Sequence, residues 1–128
     1  MDDFYRDTLL DHYKHPQFSG FLDPHDGHYA DDNPLCGDRV EITFRLDAAG
    51  HICAAAFQGK GCVISQATAD LLLESVLGQT PAQVLQLGKD DVLGLLGIEL
   101  GPVRLKCALL PLKVLQAGVR ALPAEPPT

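Results

Sequence analysis

The residues best suited to metal or sulfur chemistry are four cysteines, at positions 36, 53, 62 and 107, and an aspartate two residues after the first of them. Cys36 and Asp38 lie on a turn-rich loop, Cys62 follows a glycine where a helical pattern starts, and Cys107 lies near the start of the last predicted helix. Helix N-termini carry partial positive charge, which favours the thiolate form that binds soft metals and attacks sulfur. Cys62 and Cys107 are therefore placed for reactivity.

Spacing alone leaves two interpretations of these cysteines open. A zinc finger would show paired Cys-x-x-Cys elements, which this chain lacks. Dispersed cysteines often serve as small buried hydrophobic residues, although they can also converge on one metal. Cys53 falls among three alanines of a predicted strand, so we expect a thiol packed in the core.

Composition and charge limit the binding partners and the cellular compartment that we expect. The 128 residues carry a net charge of −7, which disfavours binding to nucleic acid and to anionic membranes. The N-terminal residues are acidic where a signal peptide needs basic ones, and no apolar run approaches the roughly 18 residues that span a bilayer. We therefore expect a cytoplasmic protein whose thiols stay reduced and serve metal or sulfur chemistry.

The elements that must position these residues follow from the hydrophobic pattern. Polar and apolar residues alternate over 39–46, which predicts a half-buried strand. Residues 47–50 indicate a turn, so 51–57 are predicted as a second strand antiparallel to the first, with a shorter strand near 28–30. Helical periodicity and end signals predict a first helix from residue 2 or 3 to 15, a second over 63–77, a short helix over 81–87 capped by Thr80, another from about 90 or 91 to 97, and a last helix that Pro102 precedes. The order indicates an α+β fold with a small sheet covered by helices on one face. We expect one domain over 1–122 and a flexible tail over 123–128.

Three short motifs resemble the ligand motifs of the U-type iron–sulfur cluster scaffold family (IscU, SufU and the NifU N-terminal domain). They are Asn-Pro-Leu-Cys-Gly-Asp at 33–38, Gly-Cys-Val-Ile-Ser-Gln-Ala at 61–67 and Arg-Leu-Lys-Cys-Ala at 104–108. The segments Tyr-Arg at 5–6 and Asp-His-Tyr-Lys-His-Pro at 11–16 are similar to the opening helix of the family. The resemblance extends to about residue 120, and the three motifs occur in the family's order.

The resemblance implies a three-stranded antiparallel sheet with helices and a metal site at one end. Cys36, Asp38, Cys62 and Cys107 would bind Zn²⁺ or an assembling [2Fe–2S] cluster there. A carboxylate is a harder ligand than a thiolate and holds iron–sulfur clusters less firmly, which suits a site that gives its cluster away. By the same resemblance, Cys107 would accept persulfide sulfur from a cysteine desulfurase.

The chain combines features of two branches of the family, so three functions stay open. The residue before the last cysteine is Lys106, as in SufU proteins, whereas the short interval between Cys62 and Cys107 is IscU-like. The first function is a scaffold that builds an iron or [2Fe–2S] site and passes the cluster to apo-acceptors or carriers. The second is a zinc-dependent sulfurtransferase, in which Lys106 could assist Cys107 or could be an ordinary solvated lysine. The third is a structural zinc domain.

Two further segments have functional and structural interpretations. Residues 100–104 (Leu-Gly-Pro-Val-Arg) resemble the Leu-Pro-Pro-Val-Lys segment that IscU proteins offer to an Hsp70-type chaperone, but a glycine replaces one proline. Because glycine costs more entropy to hold extended, the segment could equally be a plain leader to the helix. His12 and His15 have a spacing that could hold a metal, and we interpret them as a structural or partner-facing pair.

Overall fold

The computed structural model describes residues 3–34 and 37–122, which form a three-stranded sheet covered by helices. The elements are α1 (Asp3–Lys14), β1 (Gly27–Asn33), β2 (Asp38–Leu46), β3 (Ile52–Lys60), α2 (Val63–Val76), α3 (Pro81–Leu85), α4 (Lys89–Leu96) and α5 (Pro102–Arg120). Within these residues, no helix is long and apolar enough to cross a membrane. The predicted α+β class is confirmed.

The sheet has the order β1-β2-β3, and both pairings are antiparallel. Side chains alternate between faces along the central strand β2, where Val40, Ile42 and Phe44 are buried against the helices. Asp38 is the first residue of β2 and shares that buried face, because it lies two positions before Val40. The alternation that builds the core therefore also directs one carboxylate into it.

The start of α2 lies at the same end of the sheet as Asp38. α5 packs on β1, β2 and α2, and α2 begins immediately after β3 ends. The register pairs Arg39 with Lys60 and Asn33 with Asp38, so the start of β2 lies beside the ends of β1 and β3. The N-terminus of α2 is therefore held next to the first residue of β2.

A buried side-chain hydrogen bond attaches α1 to α2. Nδ1 of His12 lies 2.6 Å from Oδ2 of Asp70, whose side chain is fully buried. Oδ1 of Asp70 accepts the backbone N–H of Phe18 at 2.9 Å, so one carboxylate fixes both the helix and the loop that follows it. The expectation that His12 is structural fits this contact, whereas His15 is exposed.

The open face of the sheet carries a hydrogen-bonded cluster of polar side chains. Gln58 donates to Oε1 of Glu41 at 2.7 Å, and Nε2 of His28 lies 2.7 Å from Oε2 of the same residue. The hydrogen bonds from Gln58 and then from His28 lower the pKa of Glu41 from its ordinary value of 4.5. This cluster ties together the three strands, since its members lie one on each.

β3 is longer than expected. The strand continues through Gly59 to Lys60, although the glycines were expected to end it at residue 57. A Cβ at Gly59 would lie 2.9 Å from the carbonyl carbon of Arg39 and would overlap its oxygen, so glycine permits the close approach of the two strands.

The predicted limits of the domain (1–122) and of the tail (123–128) stay predictions, because residues 123–128 lie outside the described part of the chain.

The expectation of a packed core thiol at Cys53 is wrong, because this residue is exposed. Arg45 pairs with Ala54 and Leu46 pairs with Ile52, which leaves Cys53 as the additional residue of a β-bulge. Its thiol lies 3.6 Å from the carbonyl oxygen of Arg45, to which it donates. The neighbouring alanines gave no sign of the bulge, which removes Cys53 from the regular alternation of the strand.

Candidate metal centre

Three of the four predicted ligands meet at the end of the sheet. One ligand atom from each of Asp38, Cys62 and Cys107 lies within 4.8 Å of the others. Asp38 and Cys107 are buried, whereas Cys62 is partly exposed. The fourth predicted ligand, Cys36, lies with Leu35 outside the described residues. The three sequence motifs are therefore brought together by β2, the start of α2 and α5.

Asp38 is held in place by Cys62. Its Oδ1 accepts the backbone N–H of Cys62 at 2.9 Å, and its Oδ2 accepts the thiol of the same residue at 3.5 Å. A carboxylate at 1 % exposure has lost most of its hydration, which makes such hydrogen bonds important. Because the Cys62 sulfur and the Asp38 carboxylate face each other at this distance, a metal ion could replace the thiol proton and bind both.

Cys62 is the N-cap residue of α2, as the sequence pattern predicted. Ser65, three residues later and fully buried, donates its hydroxyl to the carbonyl of Cys62 at 3.2 Å, and its Oγ lies 3.9 Å from the Cys62 sulfur. Gln66 donates to the Ser65 hydroxyl at 3.4 Å. The partial positive charge at the start of a 14-residue helix favours negative charge on this sulfur.

The turn before Cys62 is shaped by Gly61, whose φ of +149° is a conformation that side chains rarely permit. A Cβ on Gly61 would lie 2.6 Å from Cγ of Asp38 and 2.9 Å from Oγ of Ser65, with Oδ1 of Asp38 closer still. The backbone therefore passes directly over the carboxylate. Only glycine permits that approach without displacing Asp38.

Cys107 lies deeper in its helix than expected. It is the sixth residue of α5, in the second turn, and it is 0 % exposed. The effect of the helix dipole falls off within the first turn, so this position gives little support to the activation of the thiol by a helix N-terminus, which stays a prediction. Pro111, four residues later, has no N–H to donate to the Cys107 carbonyl, so the helical ladder is interrupted at this residue.

Lys106 borders the site from outside. It is exposed on α5 and lines a surface pocket of about 240 Å³ together with Asn33, Leu109, Leu110 and Lys113. Both interpretations of Lys106, as an assisting charge and as a solvated lysine, agree with this position. Its role stays a prediction.

The donor set fits zinc or an iron–sulfur site. Zinc takes thiolate, imidazole and carboxylate ligands in tetrahedral geometry, with Zn–S near 2.3 Å and Zn–O near 2.0–2.2 Å. Two sulfurs on one tetrahedral zinc are separated by roughly 3.8 Å. Donor atoms that already lie within 4.8 Å of one another would need small side-chain movements to close on an ion. The ligand roles of Cys36, Asp38, Cys62 and Cys107 stay predictions.

The chain belongs to the NifU-like N-terminal domain family, which it matches over residues 4–127. It is 35 % identical to the zinc-dependent sulfurtransferase SufU of Bacillus subtilis, over 93 % of this chain and 91 % of that protein. It is 28 % identical to the iron–sulfur cluster assembly scaffold protein IscU of Thermotoga maritima, over 92 % and 94 %. The resemblance to the U-type scaffold family is confirmed.

Solved structures support the same fold. The N-terminal part of a NifU-like protein from Brucella abortus superimposes with a TM-score of 0.72, at 20 % identity, over 93 % of this chain and 94 % of that one. The three-stranded antiparallel sheet with its helices is the arrangement that the family resemblance implied.

Sequence reasoning missed two buried polar residues of α2, one beside Cys62 and one that joins α2 to α1. Ser65 stands three residues after the N-cap, the spacing at which a helix-start side chain commonly reaches back to the cap, and this signal was available. Asp70 is the one charged residue in the run from Ala67 to Leu73, and a lone acid in such a run indicates a buried partner. The partner itself, His12, is 58 residues away and required the tertiary structure.

Proposed function

We propose that the chain is a scaffold of iron–sulfur cluster assembly, which receives sulfur, builds a [2Fe–2S] cluster and transfers it to apo-proteins. The observation that carries this proposal is the cluster of Asp38, Cys62 and Cys107 at the sheet end. Two soft thiolates and one hard carboxylate form a mixed donor set, which binds a cluster less firmly than four thiolates would. With Cys36 the set would comprise three sulfurs and one oxygen.

The partial exposure of Cys62 supports an open site and disfavours a purely structural zinc domain. Structural zinc sites are closed, with four ligands and little access. Here the Cys62 side of the cluster reaches solvent. Gly61, whose backbone covers Asp38, is itself exposed, so the site lies close to the surface. A site that exchanges its contents needs such an opening.

A zinc-dependent sulfurtransferase is the second candidate, because the Bacillus subtilis relative with 35 % identity carries that name. Zinc, when bound, would stabilise the thiolate form of its cysteine ligands. Sulfur transfer then requires one cysteine to leave the metal and attack the terminal sulfur of a donor persulfide. The donor cysteine departs as a thiolate, so a persulfide forms on the acceptor without net oxidation.

We propose Cys107 as the sulfur acceptor, with Lys106 as a possible source of positive charge. Cys107 is fully buried and Cys62 is partly exposed, so acceptance by Cys107 requires the site to open. The interrupted helical ladder at Pro111 gives α5 a point of adjustment beside this residue. First appearance of sulfur on Cys62 would contradict this assignment.

The partners that we propose are a cysteine desulfurase and apo iron–sulfur acceptors or carriers, in the cytoplasm. The segment Leu100 to Arg104 contains the N-cap of α5 and its first turn, which fits the helix-leader interpretation. An Hsp70-type chaperone that binds this segment in extended form would have to unwind that turn.

Anaerobic reconstitution with iron, cysteine and a desulfurase tests the two leading functions. A scaffold develops the absorption of a [2Fe–2S] cluster and passes it to an apo-ferredoxin. A sulfurtransferase takes labelled sulfur but forms no transferable cluster. The Asp38→Ala variant should hold its cluster longer and transfer it more slowly; faster loss of the cluster would show that Asp38 stabilises it. Absence of both sulfur and cluster on the unmodified chain would refute the proposal.

A further inference from the structure

Positive charge is concentrated on α5, although the chain as a whole carries a net charge of −7. This helix has four basic residues, Arg104, Lys106, Lys113 and Arg120, and no acidic residue. All four are exposed. The remainder of the chain is correspondingly more acidic, so α5 is an electropositive surface on an acidic protein.

Three of the basic residues form a line along the helix. Lys106, Lys113 and Arg120 are spaced at intervals of seven residues. Seven residues fall about 20° short of two full turns of an α-helix, so the three side chains project in nearly the same direction. At 1.5 Å per residue the line extends about 21 Å. We call these three residues the basic stripe.

The first two members of the stripe border an apolar pocket. The pocket of about 240 Å³ has Leu109 and Leu110 among its lining residues, with Asn33 on the side of β1. Lys106 and Lys113 supply the charged groups of its lining. Such a pocket accepts an apolar side chain whose neighbours are negatively charged.

Acidic residues of β1 offset the stripe in part. Asp31 lies 3.1 Å from Nζ of Lys113, and Asp32 lies 3.4 Å from the Arg39 guanidinium. The Lys113 side chain remains 68 % exposed in spite of its pairing with Asp31. Lys106 and Arg120 have no ion pair among the described residues. The surface around α5 therefore keeps an excess of positive charge.

We propose that the basic stripe docks an acidic segment of the protein that delivers sulfur, with an apolar side chain of that segment in the Leu109–Leu110 pocket. This inference rests on the proposed function, because the stripe begins at the residue next to Cys107. A partner bound along the stripe would place its sulfur-carrying group beside the buried site. Charge complementarity would also raise the rate of encounter and make it depend on salt.

The test compares two double variants that each remove two exposed positive charges. The stripe variant is Lys113→Gln with Arg120→Gln, and the matched control is Lys14→Gln with Lys89→Gln, on α1 and α4. With purified cysteine desulfurase at low salt, the stripe variant should need about fivefold more desulfurase for half-maximal sulfur transfer. Its zinc content and its maximal transfer rate should be unchanged, and added salt should reduce the difference. Equal half-saturation in the two variants would overturn the proposal.

A binding experiment without sulfur chemistry separates this proposal from the proposed function. A fluorescent peptide of eight glutamates around one leucine should bind the unmodified chain and shift the amide NMR signals of residues 106–120. It should bind the stripe variant about fivefold more weakly than the control. Shifts confined to residues outside α5 and the adjoining strand β1, or tighter binding of a twelve-nucleotide single-stranded DNA at the same residues, would refute an acidic protein segment as the occupant. A chain that accepts no sulfur but binds the peptide on α5 would refute the proposed function alone.

Discussion

Replacing Gly61 with alanine should damage the candidate metal centre without altering any proposed ligand. The added Cβ would lie 2.6 Å from Cγ of Asp38 and 2.9 Å from Oγ of Ser65, distances that real Cβ atoms do not show. The carboxylate must move away, and the hydrogen bond from the Cys62 N–H to Asp38 would lengthen or break. The substitution should therefore reduce both stability and metal affinity.

The expected loss in the free energy of unfolding of Gly61→Ala has two parts. A side chain at a φ of +149° costs about 1–3 kcal/mol in backbone strain. Loss of a hydrogen bond to a buried carboxylate adds about 1.5–3 kcal/mol. Gly20→Ala separates the two, since Gly20 has a φ of +142° and no atom within 4 Å of the added Cβ. This control should show the strain without the displacement of Asp38.

Urea unfolding of the zinc-free protein, together with zinc titration by a competing chelator, measures both effects. We expect Gly61→Ala to lose about 2 kcal/mol more free energy of unfolding than Gly20→Ala. We also expect Gly61→Ala to bind zinc at least tenfold more weakly, whereas Gly20→Ala keeps the affinity of the unmodified chain. Equal destabilisation by the two substitutions, with zinc affinity retained in both, would refute the packing of the Gly61 backbone against Asp38.

Three further substitutions test contacts elsewhere in the fold. Asp70→Asn should lower the free energy of unfolding by about 2 kcal/mol in chemical denaturation, because the charged hydrogen bond with His12 is lost; an unchanged midpoint would contradict the pairing. Glu41 has a lowered pKa in the folded state, so its stabilisation is present above pH 4.5 and is lost as the pH falls below that value. Glu41→Gln should flatten this part of the stability profile, and an unchanged slope would contradict it. Cys53→Ser should keep its metal and change stability by less than about 0.5 kcal/mol, since the thiol is exposed; loss of metal would place Cys53 in the site.

The sequence predicted most of the fold because its patterns are local. The alternation in β2 and the apolar face of α2 each determine an element within a few residues, and both elements form where expected. Thr80 and Pro81 likewise begin α3 with a capping box. The bulge at Cys53 and the extension of β3 depend on how two strands approach each other, and the sequence of one strand alone does not show this.

The candidate site was predictable in its members but not in their environment. Motif order pointed to Asp38, Cys62 and Cys107, and the structure brings these three together. The burial of Cys107 in the second turn of α5 depends on the packing of that helix against the sheet and α2, so sequence spacing placed it too near the helix start. The role of Gly61 depends on a close contact with a residue 23 positions earlier, which only the tertiary structure shows.

Zinc K-edge X-ray absorption of the zinc-loaded chain tests the proposed ligand set, because it identifies and counts the donor atoms around the ion. We expect three sulfurs at about 2.3 Å, from Cys36, Cys62 and Cys107, and one oxygen at about 2.0–2.2 Å, from Asp38. Asp38→Ala should remove or replace the short oxygen and leave the three sulfurs. A shell of four sulfurs, or one containing imidazole nitrogen, would contradict coordination by these three cysteines and Asp38.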